Sequence, residues 1–207
     1  MAIRLEKSGD QHRINLEKGG GARSGEIMIN LDWSDKSGRG KVVDLDLGCF
    51  YELRDGRKSL IDGLQFSHGR GGNRHQVTRQ GCYDQAPYIW HQGDDRGDGA
   101  SSGETIFVNP QGVNEIRRMT IYTFIFEGAA KWSETNAVVR VKVPGQEDVI
   151  VEMGEQASNK RMCVIAELYF GGDDSITVKK CVTFHDRHSE CDGPYGWGFK
   201  YQSGSKD

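Results

Sequence analysis

The stretch that decides the fold is Val43-Asp44-Leu45-Asp46-Leu47-Gly48-Cys49-Phe50-Tyr51-Glu52-Leu53. Its odd-numbered residues are all apolar or aromatic, whereas Asp44, Asp46, Gly48 and Glu52 occupy most of the even-numbered positions. Side chains of a β-strand alternate between the two faces of a sheet, so this pattern predicts a long strand with one buried face.

The same alternation recurs along the chain between glycine-rich turns. The sequence holds 28 Gly and only 4 Pro in 207 residues, so most turns must use Gly, Asn and Asp. Many short strands without long helical patterns are typical of a sandwich or barrel. We therefore predict an all-β, two-sheet β-sandwich with short helical turns in its loops, forming one domain over residues 1–207. The other predicted strands are 27–33, 88–91, 105–109, 119–126, 137–143, 149–153, 163–170, 176–184 and 197–201, with helical turns at 110–116 and 131–135.

Bulk composition limits the classes of partner. The net charge is −3 and 28% of residues are charged, which gives no basic face for nucleic acid. No apolar run approaches the ~20 residues that a membrane-spanning helix needs. Residues 1–6 also lack the apolar stretch of a signal peptide. We expect no binding to nucleic acid and no membrane span.

The cysteines indicate the compartment. Their number is odd and they lie far apart in the sequence, which suits reduced thiols better than a disulfide framework. The sequence therefore predicts a cytoplasmic protein. The five are Cys49, Cys82, Cys163, Cys181 and Cys191.

Asp44 and Asp46 are the first candidate metal ligands. On one strand face their Cα atoms would lie ~6.5–7 Å apart. Two carboxylates so placed repel each other unless a cation or a basic group lies between them. Calcium takes six to eight oxygen ligands at ~2.3–2.6 Å, several of them carboxylate oxygens. A solvated outer face of the sheet is the alternative interpretation.

A second acidic feature spans residues 93–104. It contains Asp94, Asp95, Asp98 and Glu104, with glycines that let main-chain carbonyls turn inward. Such an oxygen-rich loop suits calcium better than magnesium. The aspartate spacing does not fit an EF-hand, and no flanking helices are predicted. A plain surface turn remains the alternative here.

Taken together, these motifs resemble the TerD family of tellurite-resistance and stress proteins. The resemblance covers nearly the whole chain in order, and the acidic loop is its most specific part. An N-terminal repeat, 3–9 echoed by 14–20, points to the TerA-like branch. The motifs are Leu16-Glu17-Lys18-Gly19, Leu31-Asp32-Trp33, Asp44-Leu45-Asp46, Gly93-Asp94-Asp95 ending at Glu104, Arg118-Met119-Thr120-Ile121-Tyr122, Asn136-Ala137-Val138-Val139-Arg140-Val141 and Gly196-Trp197-Gly198-Phe199.

The resemblance implies a calcium-binding β-sandwich without catalytic activity. It also implies a role as a sensor or scaffold beside other stress-response proteins of the same system. This chain departs from the family where 100–103 replaces an acidic cluster in a loop one residue shorter; if that cluster supplies a second calcium site in the family, we expect the site to be weakened or lost here. The metal ligands carried over by position are Asp44, Asp46, Asp94, Asp95 (usually Asn), Asp98 (often Glu) and Glu104.

Two other hypotheses stay open. The glycine-rich stretch 69–73, with Arg70 and Arg74, could recognise a cyclic nucleotide or an oxyanion, although it lacks the context of a P-loop. More remotely, four residues within eleven could bind zinc, although their spacing matches no common zinc pattern. These four are Cys181, His185, His188 and Cys191.

Overall fold

The computed structural model describes residues 2–17, 25–33, 43–66, 72–93, 103–127, 132–153 and 158–202. Within these ranges the chain forms strands β1 to β13, two short 3-10 helices and one α-helix, α1. The strands assemble into two sheets, here called sheet A and sheet B. The predicted all-β fold of two sheets is confirmed.

Sheet A contains seven strands in the order β1-β11-β10-β3-β8-β7-β6. Neighbouring strands are antiparallel except for β1 and β11, which are parallel. The strands are β1 (Ile3–Leu5), β3 (Ile27–Asp32), β6 (Gly81–Cys82), β7 (Ile89–His91), β8 (Glu104–Val108), β10 (Val138–Lys142) and β11 (Val149–Glu152).

Sheet B contains six antiparallel strands in the order β2-β13-β12-β9-β4-β5. Its centre is formed by long strands, and β2 and β5 are its edges. The strands are β2 (Gln11–Asn15), β4 (Asp44–Leu53), β5 (Lys58–Asp62), β9 (Ile116–Glu127), β12 (Met162–Gly171) and β13 (Ser175–His185).

The two sheets enclose the main apolar core. Leu45, Leu47 and Cys49 of β4 point into it, as the alternation predicts. Most even-numbered positions of β4 are also buried, because sheet B has a second apolar layer on its outer face. Phe50 and Trp197 belong to this layer. It lies between sheet B and the C-terminal segment, which consists of α1 (His188–Tyr195) and residues 196–202.

The predicted strand at 197–201 is wrong. Gly196 and Gly198 have left-handed φ angles of 64° and 74°, which interrupt an extended chain. The buried carboxylate of Asp192 accepts hydrogen bonds from Gly198 N at 2.6 Å and from Phe199 N at 2.8 Å, so these groups bind a side chain instead of a strand. The predicted helical turns are present as 3-10 helices at Pro110–Gly112 and Trp132–Glu134.

Helix α1 was not predicted, because its eight residues contain Gly193 and Pro194 and carry no amphipathic pattern. In the ranges described above, no helix is both long and apolar enough to cross a membrane.

Candidate functional site

Asp44 and Asp46 begin β4 at one end of the sandwich. Asp44 is half-buried, and Asp46 is completely buried. For Asp46 the interpretation as a solvated outer face is therefore wrong. A buried carboxylate carries a high desolvation cost and needs compensating charge or hydrogen bonds. Asp46 is the deepest acidic residue among the predicted metal ligands that the structure describes.

Glu104 approaches the same place from the opposite sheet. It begins β8 of sheet A, and its Oε2 accepts a hydrogen bond from Leu47 N in sheet B at 2.6 Å. The ring of His91, in β7, donates from Nε2 to Leu47 O at 3.0 Å. The side chains of His91 and Glu104 are 0% and 1% exposed. These two residues thus satisfy the main chain of β4 beyond the end of β5, whose last residue, Asp62, pairs with Gly48.

The acidic loop connects to this junction at both ends. Gly93 N donates to His91 Nδ1 at 3.1 Å. Gly103 has a φ of +75°, and a Cβ there would lie 2.0 Å from Leu31 O, so only glycine fits. Asp94, Asp95 and Asp98 lie in 94–102, outside the described residues.

The structure therefore places Asp46 and Glu104, two of the six predicted metal ligands, at the same end of the sandwich. Asp46 and Glu104 come from opposite sheets and are joined through Leu47. Buried carboxylates such as these are the hard oxygen donors that calcium prefers. No three His, Cys, Asp or Glu side chains of the described ranges form a group that could hold a metal ion. Any calcium ion at this end needs further oxygen ligands, which 94–102 contains.

A second polar cluster, absent from the predictions, lies on the outer face of sheet B. The carboxylate of Asp62, fully buried, accepts from Tyr122 Oη at 2.6 Å and from His188 Nε2 at 3.0 Å. Gly48 permits this arrangement, because a Cβ there would lie 2.4 Å from the Tyr122 ring. Burial and the Asp62 charge raise the pKa of Tyr122 well above its ordinary value. The tyrosine therefore stays a donor.

This cluster fixes α1 on sheet B. The His188 ring, on the first turn of α1, makes edge-on contacts with the rings of Tyr122 and Phe124 at 5.1 and 5.3 Å between centroids. A single aspartate and a single histidine far apart in the sequence give no motif. Only the pairing of Gly48 with Asp62 in the β4–β5 ladder brings these groups together.

The four residues considered for zinc do not form a metal-binding group, and the structure describes all four of them. His188 binds Asp62, and His185 Nε2 hydrogen-bonds Thr183 Oγ1 at 3.0 Å. Cys181 and Cys191 are buried in the outer apolar layer. Their histidine neighbours thus have other partners.

Arg74, considered for an oxyanion, is engaged elsewhere. Its guanidinium stacks over the ring of Tyr83 at 3.9 Å and forms an ion pair with Glu26. Arg70 lies outside the described residues. Nothing in the described part of this loop favours the oxyanion hypothesis over a structural role for Arg74.

All five cysteines are free and buried. Burial raises the pKa of Cys181 to about 11 and that of Cys191 to about 12, and it also raises the pKa of Cys49 and Cys163 well above the ordinary value of a thiol. Because the thiolate is the nucleophile, these four thiols are poorly reactive at neutral pH.

Comparisons with known proteins identify relatives of the chain in sequence and in fold. No protein-family model matches the chain. A tellurium resistance protein, TerA, from Alcaligenes sp is 37% identical in an alignment of 195 residues that covers 89% of this chain and 54% of that protein. The chain thus spans about half the length of this curated relative.

Two solved structures share the fold. One is a homologue of telluride resistance protein (TerD) from Streptomyces coelicolor A3(2), with a TM-score of 0.52 and 15% identity. The other is a protein of unknown function, SAV2460, with a TM-score of 0.52 and 13% identity. Each match covers 78% of this chain and 90% of the other chain.

The fold and the acidic junction define a class, that of two-sheet β-sandwich proteins with buried carboxylates at one end of the sandwich. Within that class, the chain is similar in sequence to the tellurium resistance protein TerA and in fold to a TerD homologue.

Proposed function

We propose that this chain is a non-enzymatic calcium-binding protein of tellurium resistance, acting in the cytoplasm as a sensor or scaffold. The observation that carries the proposal is the 2.6 Å hydrogen bond between Glu104 Oε2 and Leu47 N. It holds the buried carboxylate of Glu104 at the main chain of the residue that follows Asp46, although the two acidic residues belong to different sheets. A divalent cation at this junction lowers the electrostatic cost of burying both groups.

The loop sequence supports calcium in particular. Asp94, Asp95 and Asp98 follow directly after Gly93, and Gly93 itself is hydrogen-bonded at the junction. Together with Asp44, Asp46 and Glu104 they offer enough oxygens for a calcium shell completed by main-chain carbonyls or water. Calcium that binds only the folded chain stabilises it by about 2.7 kcal/mol at one hundred times its dissociation constant.

Isothermal titration calorimetry of metal-free protein with calcium tests this proposal. We expect one binding event for the native chain, and loss of most binding in Asp94→Asn/Asp98→Asn. Asp84→Asn is the matched control, since it removes an exposed carboxylate that pairs with His75 on another loop. Absence of heat and of thermal stabilisation at millimolar calcium would rule out the calcium function.

The role in resistance is a separate part of the proposal. It is supported by the name of the Alcaligenes relative, of which this chain spans 54%. Cells producing the chain should survive tellurite better than cells producing Asp94→Asn/Asp98→Asn at equal protein level. Equal survival of the two kinds of cell would show that resistance does not require calcium binding by this loop. The expected partners are other proteins of the same resistance system, bound through a surface that calcium orders.

A further inference from the structure

The edge strand β5 offers unpaired main-chain groups. It ends sheet B next to β4, and no described strand pairs with its other side. Leu53 N donates to Arg57 O at 2.8 Å, and the register continues through Tyr51 with Ser59. Hydrogen-bonded pairs alternate in an antiparallel ladder, so the N–H and C=O groups of Lys58 and Leu60 point away from β4.

A groove of about 540 Å³ lies along this edge. One wall is β5 and the other is the segment 77–87, which precedes β7. Arg57, Lys58 and Arg79 line the groove, and among the described residues no aspartate or glutamate does. The groove therefore combines an open strand edge with positive charge.

The neighbouring carboxylates do not neutralise this charge. Asp55 binds Arg57 at 2.7 Å, and Glu52 lies 4.0 Å from Lys58 Nζ while also binding two further arginines. Arg79 forms no ion pair with any described residue; its Nη1 donates to Gln65 O at 3.4 Å. The carboxylates of Asp55 and Glu52 thus pair with four cationic side chains. Arg79 is a fifth cation, and no described carboxylate pairs with it.

Val77 gives the groove an apolar contact point. It is 65% exposed, one of only two large apolar side chains so exposed among the described residues, and it lines the groove. Isolated exposed apolar residues are ordinary, but this one lies beside an open strand edge and beside Arg79, which forms no ion pair with a described residue. An extended guest chain would present alternate side chains to these two features.

We propose that this groove binds an extended acidic segment of a partner protein, which adds to β5 as a further antiparallel strand. Main-chain hydrogen bonds to Lys58 and Leu60 supply the affinity, and carboxylates facing Arg79 and Lys58 supply the selectivity. An apolar residue of the guest packs on Val77. The proposal does not depend on calcium, because none of the predicted calcium ligands that the structure describes lines the groove.

Fluorescence anisotropy with a labelled heptapeptide of alternating Asp and Val tests it. We expect saturable binding to the native chain, and binding at least about tenfold weaker to Arg79→Glu. A heptapeptide of alternating Lys and Val should not bind. Arg13→Glu, the same charge change on β2 at the opposite edge of sheet B, should leave the affinity within about twofold.

Two further measurements decide between main-chain pairing and simple charge attraction. N-methylation of alternate amides of the acidic peptide should abolish binding, and Val77→Ser should weaken it severalfold. Equal binding of both peptides, indifference to N-methylation, or full competition by inorganic sulfate at matched ionic strength would overturn the proposal in favour of a plain anion site. No binding at millimolar peptide would also overturn it.

Discussion

Glu104 Oε2 accepts a hydrogen bond from Leu47 N at 2.6 Å, and this contact joins the two sheets at the acidic end of the sandwich. Leu47 lies in the middle of the stretch 43–53, directly after Asp46. The proposed calcium site therefore rests on a main-chain group that β5 is too short to pair, since its last residue Asp62 stands opposite Gly48.

Substitution of Glu104 should separate its structural role from its charge. Glu104→Ala leaves the buried Leu47 N–H without its acceptor and should lower the free energy of unfolding by about 1–3 kcal/mol in EDTA. Glu104→Gln retains an amide oxygen as acceptor and should cost less in EDTA, but it should lose most of the stabilisation by calcium. Urea denaturation with and without calcium measures both effects. Equal calcium stabilisation of Glu104→Gln and the native chain would contradict the assignment of Glu104 as a ligand.

The contact between Tyr122 and Asp62 should contribute strongly to stability. Tyr122→Phe removes a donor from a fully buried carboxylate, so we expect a loss of about 1.5–3 kcal/mol in the free energy of unfolding. Tyr169→Phe, at a partly exposed tyrosine of β12, should cost less than about 0.5 kcal/mol. Urea denaturation followed by tryptophan fluorescence measures the difference. Equal effects of the two substitutions would show that the Asp62 contact adds nothing.

Glu52 should make stability depend on pH in the acidic range. Burial alone raises the pKa of Glu52, but the hydrogen bond from Arg118 and the charges of Arg118, Lys58 and Arg117 outweigh burial, and the pKa lies below its ordinary value of 4.5. The stabilisation is therefore complete above pH 4.5 and is lost as the pH falls through the lowered pKa.

Comparison with Glu52→Gln measures this dependence. The native chain should be more stable than the variant at pH 6, and the difference should shrink progressively below pH 4.5. Glu115→Gln, at an exposed side chain, is the control and should follow the native profile. A difference between the native chain and Glu52→Gln that stays constant down to pH 3 would contradict the proposed ion pairs.

The thiols should be unreactive in the folded protein. With a pKa of about 11, Cys181 is ionised in only about one molecule in a thousand at pH 8. Ellman's reagent should therefore modify none of the five buried thiols within minutes at pH 8, and all five after denaturation in guanidinium chloride. Rapid reaction of one thiol in the native protein would identify a reactive cysteine and would contradict this prediction.

The sequence predicts β3, β4 and the strands from β7 to β13 because apolar residues alternate along them, but it does not predict the short strands β5 and β6. The sequence-based prediction is wrong where tertiary contacts bury polar residues or bind main-chain groups that a strand would use. The polar positions Asp46 and Gly48 suggested a face towards solvent, but both residues are buried, and Gly48 leaves room for the Tyr122 ring. Asp192 belongs to none of the predicted sites. Its carboxylate accepts hydrogen bonds from the main-chain N–H groups of 198–199, so these groups do not pair in the predicted strand.

The predicted metal ligands divide in the same way. Asp46 and Glu104 can be chosen from the sequence because they lie in acidic motifs. Only the structure shows that the Glu104 carboxylate reaches Leu47 N, next to Asp46 in the chain. The Asp62–Tyr122–His188 cluster could not be chosen, because its members are separated by 60 residues or more and no motif links them.

A crystal structure of the chain grown in calcium tests the central claim most directly. Anomalous difference density should place a calcium ion at the junction, with carboxylate oxygens of Asp46 or Glu104 and of residues 94–102 at ~2.3–2.6 Å. Density without an ion near either carboxylate, at a calcium concentration that saturates any site seen by calorimetry, would contradict the claim.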